Sequence, residues 1–498
     1  MISRVGGTII CALLLITITY YVIRFVKRFV FYLRLPGPPY NWLLRHEVDL
    51  TAGDLSEIRD FKRKYNEKYP QICRYFLGPF VFLSISDPET IKYFLGQKPP
   101  KPSIYRLMLD RWIGDGLLSS NGRKWQRNRK LLTPAFHYSI LSSFLPVYCK
   151  ATHVMLDLWE ELSVNGGEIV VQEFAQYLTL DILMQCIGSL ETNCQVKRET
   201  IPYVNDVNML THISLLRFLH NLYKIDLYFY LTPTGRLYKQ ASKRSRAFTR
   251  NLIAEHVDKL SSNGSSNKQE VDFINILLTT RDQNGNRLTD QEICDEIDTF
   301  VFEGHDTTAT ALTWILCYLT LYPEHQETCR NEIMNYFNEH DLELQDLPKL
   351  EFLTMFIKET MRLQSPVYSV IREVDTPVSL GGYLVPRGSL VEIAILTLHT
   401  NKNVWPDPCK FDPMRFSKEN INKVSPYNYI PFSAGERNCI GQVFAMNELR
   451  VVCSLILKKY RLEFQEPFLE SELTYERDIL NKLKTPLKLR LLPIKENN

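Results

Sequence analysis

The chain has 498 residues, 45% hydrophobic and 23% charged, an ordinary globular composition that excludes a disordered or fibrous protein. Its 59 basic residues against 56 acidic leave a formal charge of +3, too weak a bias for nucleic-acid binding, which concentrates Lys and Arg on one face. Eleven cysteines, spread singly with no C-x-x-C pair, are too sparse for a disulfide framework and fit a reducing compartment.

Residues 5–23 (VGGTIICALLLITITYYVI) carry no charge. A helix of about 19 residues reaches roughly 28 Å, close to the hydrocarbon thickness of a bilayer. Arg4 alone precedes this run, whereas Arg24, Lys27, Arg28 and Arg34 follow it. The positive-inside rule then predicts a single span with the bulk of the chain in the cytosol. The basic cluster on the far side, with no A-x-A-like site after the run, argues against a cleaved signal peptide. The next segment, Leu35-Pro36-Gly37-Pro38-Pro39, cannot continue a helix and reads as a stiff spacer orienting a globular body against the membrane.

Length alone predicts about three domains. No internal repeat and no long Pro/Ser linker divides the chain, so residues 1–34 read as anchor and basic linker and residues 35–498 as one domain. The single low-complexity patch, residues 261–269 (SSNGSSNKQ), reads as a surface loop. After it comes the strongest helix. Thr289 and Glu292 form a capping box, and helical spacing runs through Ile293, Ile297, Val301, Gly304, Thr308, Ala311 and Ile315 up to Pro323. That length, on the order of 45–50 Å, crosses a whole domain. Hydroxyl residues can bond back to a carbonyl and bend a helix, so Gly304, Thr307 and Thr308 predict a local opening in its middle. Two acids, Glu303 and Asp306, stand at the centre of this otherwise apolar helix, where unpaired charge is costly. Strand-like pieces are short and late, at 379–385, 390–396 and 487–492. The fold class is therefore mostly α with small β-sheets.

The sharpest signal is Pro431-Phe432-Ser433-Ala434-Gly435-Glu436-Arg437-Asn438-Cys439-Ile440-Gly441. A chance match to F-x-x-G-x-R-x-C-x-G in a chain of this composition is roughly one in ten thousand. A thiolate that ligates haem iron needs a sheltered, hydrogen-bonded sulfur. Gly435 and Gly441 allow a tight turn that brings N–H groups near the sulfur, Phe432 can cover it, and Arg437 can offer its fork to a propionate. Helical spacing resumes after the loop, placing Cys439 just before a helix N-terminus, a position that lowers a thiol pKa. A buried structural cysteine in a Gly-rich turn would not require the other four motif residues.

With these residues the sequence resembles the cytochrome P-450 superfamily over nearly its whole length. Further matches, in the right order, are Trp125-Gln126-Arg127-Asn128-Arg129, Gly304-His305-Asp306-Thr307, Glu359-Thr360-Met361-Arg362 and Phe411-Asp412-Pro413-Met414-Arg415-Phe416. The resemblance implies haem b with Cys439 as its iron ligand. It makes Trp125, Arg129, Arg372 and Arg437 propionate partners, and joins Glu359, Arg362 and Arg415 in a buried structural network. Asp306 and Thr307 become an acid–alcohol pair delivering protons. Lys124, Arg127 and Lys130 read as solvated charges forming a docking surface for an electron donor.

Phe302-Glu303-Gly304-His305-Asp306-Thr307-Thr308, Trp112-Ile113-Gly114-Asp115-Gly116-Leu117-Leu118 and Lys130-Leu131-Leu132-Thr133-Pro134-Ala135-Phe136-His137 are similar to family 4, the fatty-acid ω-hydroxylases. In that group the glutamate at Glu303 can be esterified to a haem methyl. The resemblance thus implies an endoplasmic-reticulum monooxygenase that takes electrons from NADPH through a flavoprotein reductase, with cytochrome b5 as a further donor. Two departures from that group stand out: Glu436 replaces a usual proline, and Leu363-Gln364-Ser365-Pro366 replaces an aromatic–proline pair; the second lies beside the expected substrate channel and bears on substrate. Other readings stay open: a xenobiotic-oxidising monooxygenase, a haem-thiolate isomerase or dehydratase independent of NADPH, and a non-enzymatic haem sensor.

Overall fold

The computed structural model describes residues 2–39, 55–77, 80–164, 167–197, 202–262, 272–337, 343–476 and 478–494. Helix α1 (Ile2–Leu33) opens the chain as 32 unbroken residues. Its described apolar side chains from Leu13 to Val26 are exposed, while Tyr32 and Leu35 are buried. The helix end is docked on the body: Tyr32 Oη is 2.9 Å from Ser389 Oγ, and Arg28 donates to Tyr32 Oη (2.9 Å) and to the Arg387 carbonyl (3.0 Å). Among the described residues no helix is long and apolar enough to cross a membrane. The side chains of residues 2–11, which open the expected span, lie outside the described residues. So does the low-complexity patch from residue 263 onward. The proline spacer is pinned in place, because Arg74 donates its N–H to the Pro36 carbonyl (2.8 Å) and Nη1 to that of Pro38 (2.9 Å).

Two strands stand far earlier than the sequence reading placed any. Strands β1 (Cys73–Leu77) and β2 (Phe80–Ile85) form an antiparallel pair. Every residue of β1 is buried, so it lacks the alternation that marks a half-exposed strand. After the two-residue strand β3 (Ile169–Val170) come β4 (Val370–Glu373), β5 (Val378–Leu380), β6 (Tyr383–Val385) and β7 (Leu390–Ile393). The main sheet has the order β1-β2-β7-β4, with β2 and β7 parallel. Residues 379–385, read as one strand, form the β5–β6 hairpin about Gly381-Gly382. The next piece stops at Ile393, where a helical turn (Ile395–His399) takes over. Strands β8 (Tyr460–Phe464) and β9 (Lys488–Pro493) complete a second sheet with β3.

The helices that position the site are α2 (Gly122–Leu132), α3 (Val171–Gly188), α4 (Asp290–Leu321), α5 (Glu351–Leu363) and α6 (Gln442–Lys459). Both halves of the α4 capping box form: the Glu292 N–H donates to Thr289 Oγ1 (3.2 Å) and the Thr289 N–H to Glu292 Oε2 (2.9 Å). Helix α4 is buried along most of its length and packs along α3. It stays α-helical throughout, Gly304 included. Thr307 and Thr308 donate to the carbonyls four residues back (2.6 and 2.9 Å) within an intact helix.

Candidate active site

The loop before α6 turns at Gly435, whose φ of +77° lies where a side chain would be strained. The Cys439 N–H then donates to the Phe432 carbonyl (2.9 Å), folding the loop back so that Cys439 meets a largely apolar cavity of about 280 Å³. Phe432, Arg437 and Gly441 share that wall with the cysteine, Glu303, Gly304 and Thr307 come from α4, and Trp125 and Arg129 from α2. Gly435, Arg372 and Asp306 do not line it.

Cys439 is exposed on that wall; the protein packed around the thiol raises its pKa, with the Glu303 charge acting the same way, against the Gly441 N–H, Arg129 and Lys101. On the same cavity wall, burial raises the Glu303 carboxyl, opposed by Lys101 and Arg129.

Cations converge beside the loop. Arg129 donates to the Asn438 carbonyl and side chain (both 3.0 Å). Arg437 lies over the Trp125 ring (4.0 Å) and donates to the Ser120 carbonyl and Asn121 Oδ1. Arg372 is fully buried and its Nη2 has no hydrogen-bond partner. Lys101, which sequence reasoning missed, lines the cavity too. Its ammonium is held well below the usual lysine range by burial and by Arg372, against the pull of Glu303. No motif spacing marks Lys101; its one signal is a charge set between prolines in Pro99-Pro100-Lys101-Pro102.

Asp306 is placed differently from Thr307. It is buried, 3.0 Å from Lys482 Nζ, and lines a second cavity with Lys482, Asn208 and Glu476. The helix therefore points the acid and the alcohol of the expected pair into separate cavities. On α2, the expected solvated charges are partly neutralised: Arg127 pairs with Glu292, and Lys124 lies 3.1 Å from Asp115. Lys130 stays exposed. The Glu359 network is present, with Arg362 Nε 2.7 Å and Arg415 Nε 3.3 Å from the carboxylate. Of the two departures, Glu436 faces Lys98 (3.5 Å). Gln364 is buried between the Tyr318 and Tyr475 hydroxyls (both 3.2 Å), and Pro366 reaches the cavity wall.

A mostly helical fold that sets a cysteine loop beside a cationic cluster and an apolar cavity defines a haem-thiolate class of oxidoreductase. The family model described as Cytochrome P450 matches residues 35–489. Human cytochrome P450 4B1 is 38% identical over 437 residues, covering 86% of this chain and 84% of its own. Human cytochrome P450 4F2 is 37% identical over 88% of this chain and 87% of its own, and rabbit (Oryctolagus cuniculus) cytochrome P450 4A6 36% over 86% and 84%. The chain belongs to the cytochrome P450 family and is a monooxygenase. That family implies a haem bound through a cysteine thiolate. The residues present fit it: a cysteine on an apolar cavity wall, and a group of half-buried cations with the buried Arg372, whose Nη2 is unpartnered, that two propionates would neutralise.

Proposed function

We propose that the protein inserts one oxygen atom from O2 into a terminal C–H bond of a fatty acid or related long-chain lipid. The observation that carries this reading is one apolar cavity walled by Cys439, Glu303 and Thr307 together. When bound, the haem iron supplies the oxygen-activating chemistry, which thiolate ligation favours. Cys439 would be its ligand, and Trp125, Arg129, Arg437, Arg372 and Lys101 would hold its carboxylates. Thr307 would hold a proton at Oγ1 on the cavity side. Asp306, paired with Lys482, would relay protons from the second cavity.

A terminal C–H bond is stronger than its neighbours, so ω-attack needs a narrow wall that admits only the chain end. An ester between Glu303 and a haem methyl would stiffen that wall. Two electrons would come from NADPH through a flavoprotein reductase, with cytochrome b5 as a second donor, docking near Lys130. We place the protein in the endoplasmic-reticulum membrane, anchored by residues 5–23, with residues 35–498 as the cytosolic catalytic domain. The exposed apolar face of α1 from Leu13 onward supports an anchor.

The test is product analysis of a fatty-acid panel with reconstituted reductase and NADPH. Terminal alcohols are expected from the wild type and none from Cys439→Ala. Absence of any oxygenated lipid, or activity surviving in the variant, overturns the reading. For the ester, haem should resist acidic organic extraction from the turned-over wild type and be released from Glu303→Gln. Full release from both would remove the tether.

A further inference from the structure

The loop at residues 114–118 supplies Leu117 and Leu118 to the cavity wall. Its backbone is held by side chains from the first half of α4. Glu296 is fully buried. Its Oε2 accepts from the Leu117 N–H (2.9 Å) and its Oε1 from Asn128 Nδ2 on α2 (2.7 Å). Next to it, Asp295 accepts from the Asp115 N–H (3.2 Å). The loop lies so close to α4 that a Cβ on Gly116 would stand 2.3 Å from Thr299 Oγ1 and 2.6 Å from the Asp295 carbonyl oxygen. Glu296 precedes Glu303 by seven residues, two helical turns, so both project from one side of α4 about 10 Å apart along its axis.

From this geometry we infer that Glu296 is a positioning residue for regiochemistry. One carboxylate grips the loop that carries Leu117 and Leu118 together with α2, which carries Trp125 and Arg129, and ties both to α4, which carries Glu303 and Thr307. A carboxylate suits the task because both oxygens accept and neither donates, matching two N–H groups that approach from different elements. Glu296 touches no substrate; it acts through the leucines. Without it the wall beside the chain end gives way, and the weaker subterminal C–H bonds come within reach. Burial pushes the Glu296 carboxyl up to about 7, and its two hydrogen bonds act in the opposite direction.

This inference rests on the proposed ω-oxidation, and its experiment separates the two. Haem-loaded wild type, Glu296→Leu, Glu296→Gln and Gly116→Ala are compared on dodecanoic acid, with amide hydrogen exchange of residues 114–118 measured alongside. In Glu296→Leu the ratio of terminal to subterminal alcohol should fall about tenfold and KM rise by a similar factor, with total turnover within about twofold. Gln, which keeps an acceptor for the Leu117 N–H, should recover most of the ratio. Gly116→Ala, which pushes the loop off α4, should shift it as Leu does. Exchange in the loop should quicken in both disruptive variants. An unchanged product ratio in Glu296→Leu that keeps its reduced carbon-monoxide Soret band overturns the inference. If that variant binds no haem, an unchanged ratio in Gly116→Ala overturns it equally. A wild type that oxidises no fatty acid sinks the ω-oxidation reading and the regiochemical part with it. Exchange at wild-type rates in the variants overturns the tether itself.

Discussion

A buried carboxyl reports its surroundings through the pH at which it gives up its proton. Asp298 on α4 is 2% exposed, accepts from Thr249 Oγ1 and lies 3.4 Å from Arg246 Nε. Burial pushes its carboxyl up to about 7, with Asp295 adding to the rise and Thr249 and Arg246 opposing it. The folded protein thus holds this proton more tightly than the unfolded chain, where an aspartate titrates near 3.9. The stabilisation is present in full below about pH 4 and is lost as pH climbs through about 7. Asp298→Asn removes that dependence. Between pH 5 and pH 7.5 the wild type should lose stability relative to the variant, by up to about 3 kcal/mol; parallel denaturation curves at the two pH values would contradict it. The place of Cys439 in the chain, by contrast, was legible from the motif, because the residue types and spacing of that loop are local.

Among the elements, α5 shows how a local pattern acquires a different energy once buried. On an exposed helix Glu359 and Arg362 would be an i,i+3 pair worth a few tenths of a kcal/mol. Here both are fully buried. Arg362 also donates to the carbonyls of His399 and Pro408 (both 2.7 Å), and the Asp412 N–H donates to Glu359 (2.9 Å). Glu359→Ala would leave the buried Arg362 guanidinium without its charge partner, so it should cost about 3–5 kcal/mol, read as a lower urea midpoint. A loss below about 1 kcal/mol would mean the network is expendable. The α4 boundaries were readable because capping chemistry is local. Its middle keeps α-helical structure through Gly304, Thr307 and Thr308, with both threonine hydroxyls bonded back to carbonyls four residues earlier. Strands β1 and β2 stayed hidden because burial on both faces erases the alternation that would reveal them.

At the scale of the whole molecule, the described cysteines are all free, so its stability should owe nothing to disulfides among them. Dithiothreitol should leave the thermal midpoint unchanged, and a drop of several degrees would expose a bridge. The end of α1 is tied through Tyr32 and Arg28 to residues 387–389, beside β7 of the main sheet, which fixes that helix end on the body. By itself the sequence determined the mostly α class, the long capped helix, the cysteine loop and the arginines gathered around it. Those signals are short-range, set by spacing and residue type within a few turns. Only the tertiary structure decided that Lys101 joins the cavity, that Asp306 turns to Lys482 while Thr307 shares the cavity of Cys439, and that Glu296 grips a loop some 180 positions upstream. Each depends on which side chains meet across distant elements, and packing of the whole chain, rather than any local preference, chooses those partners.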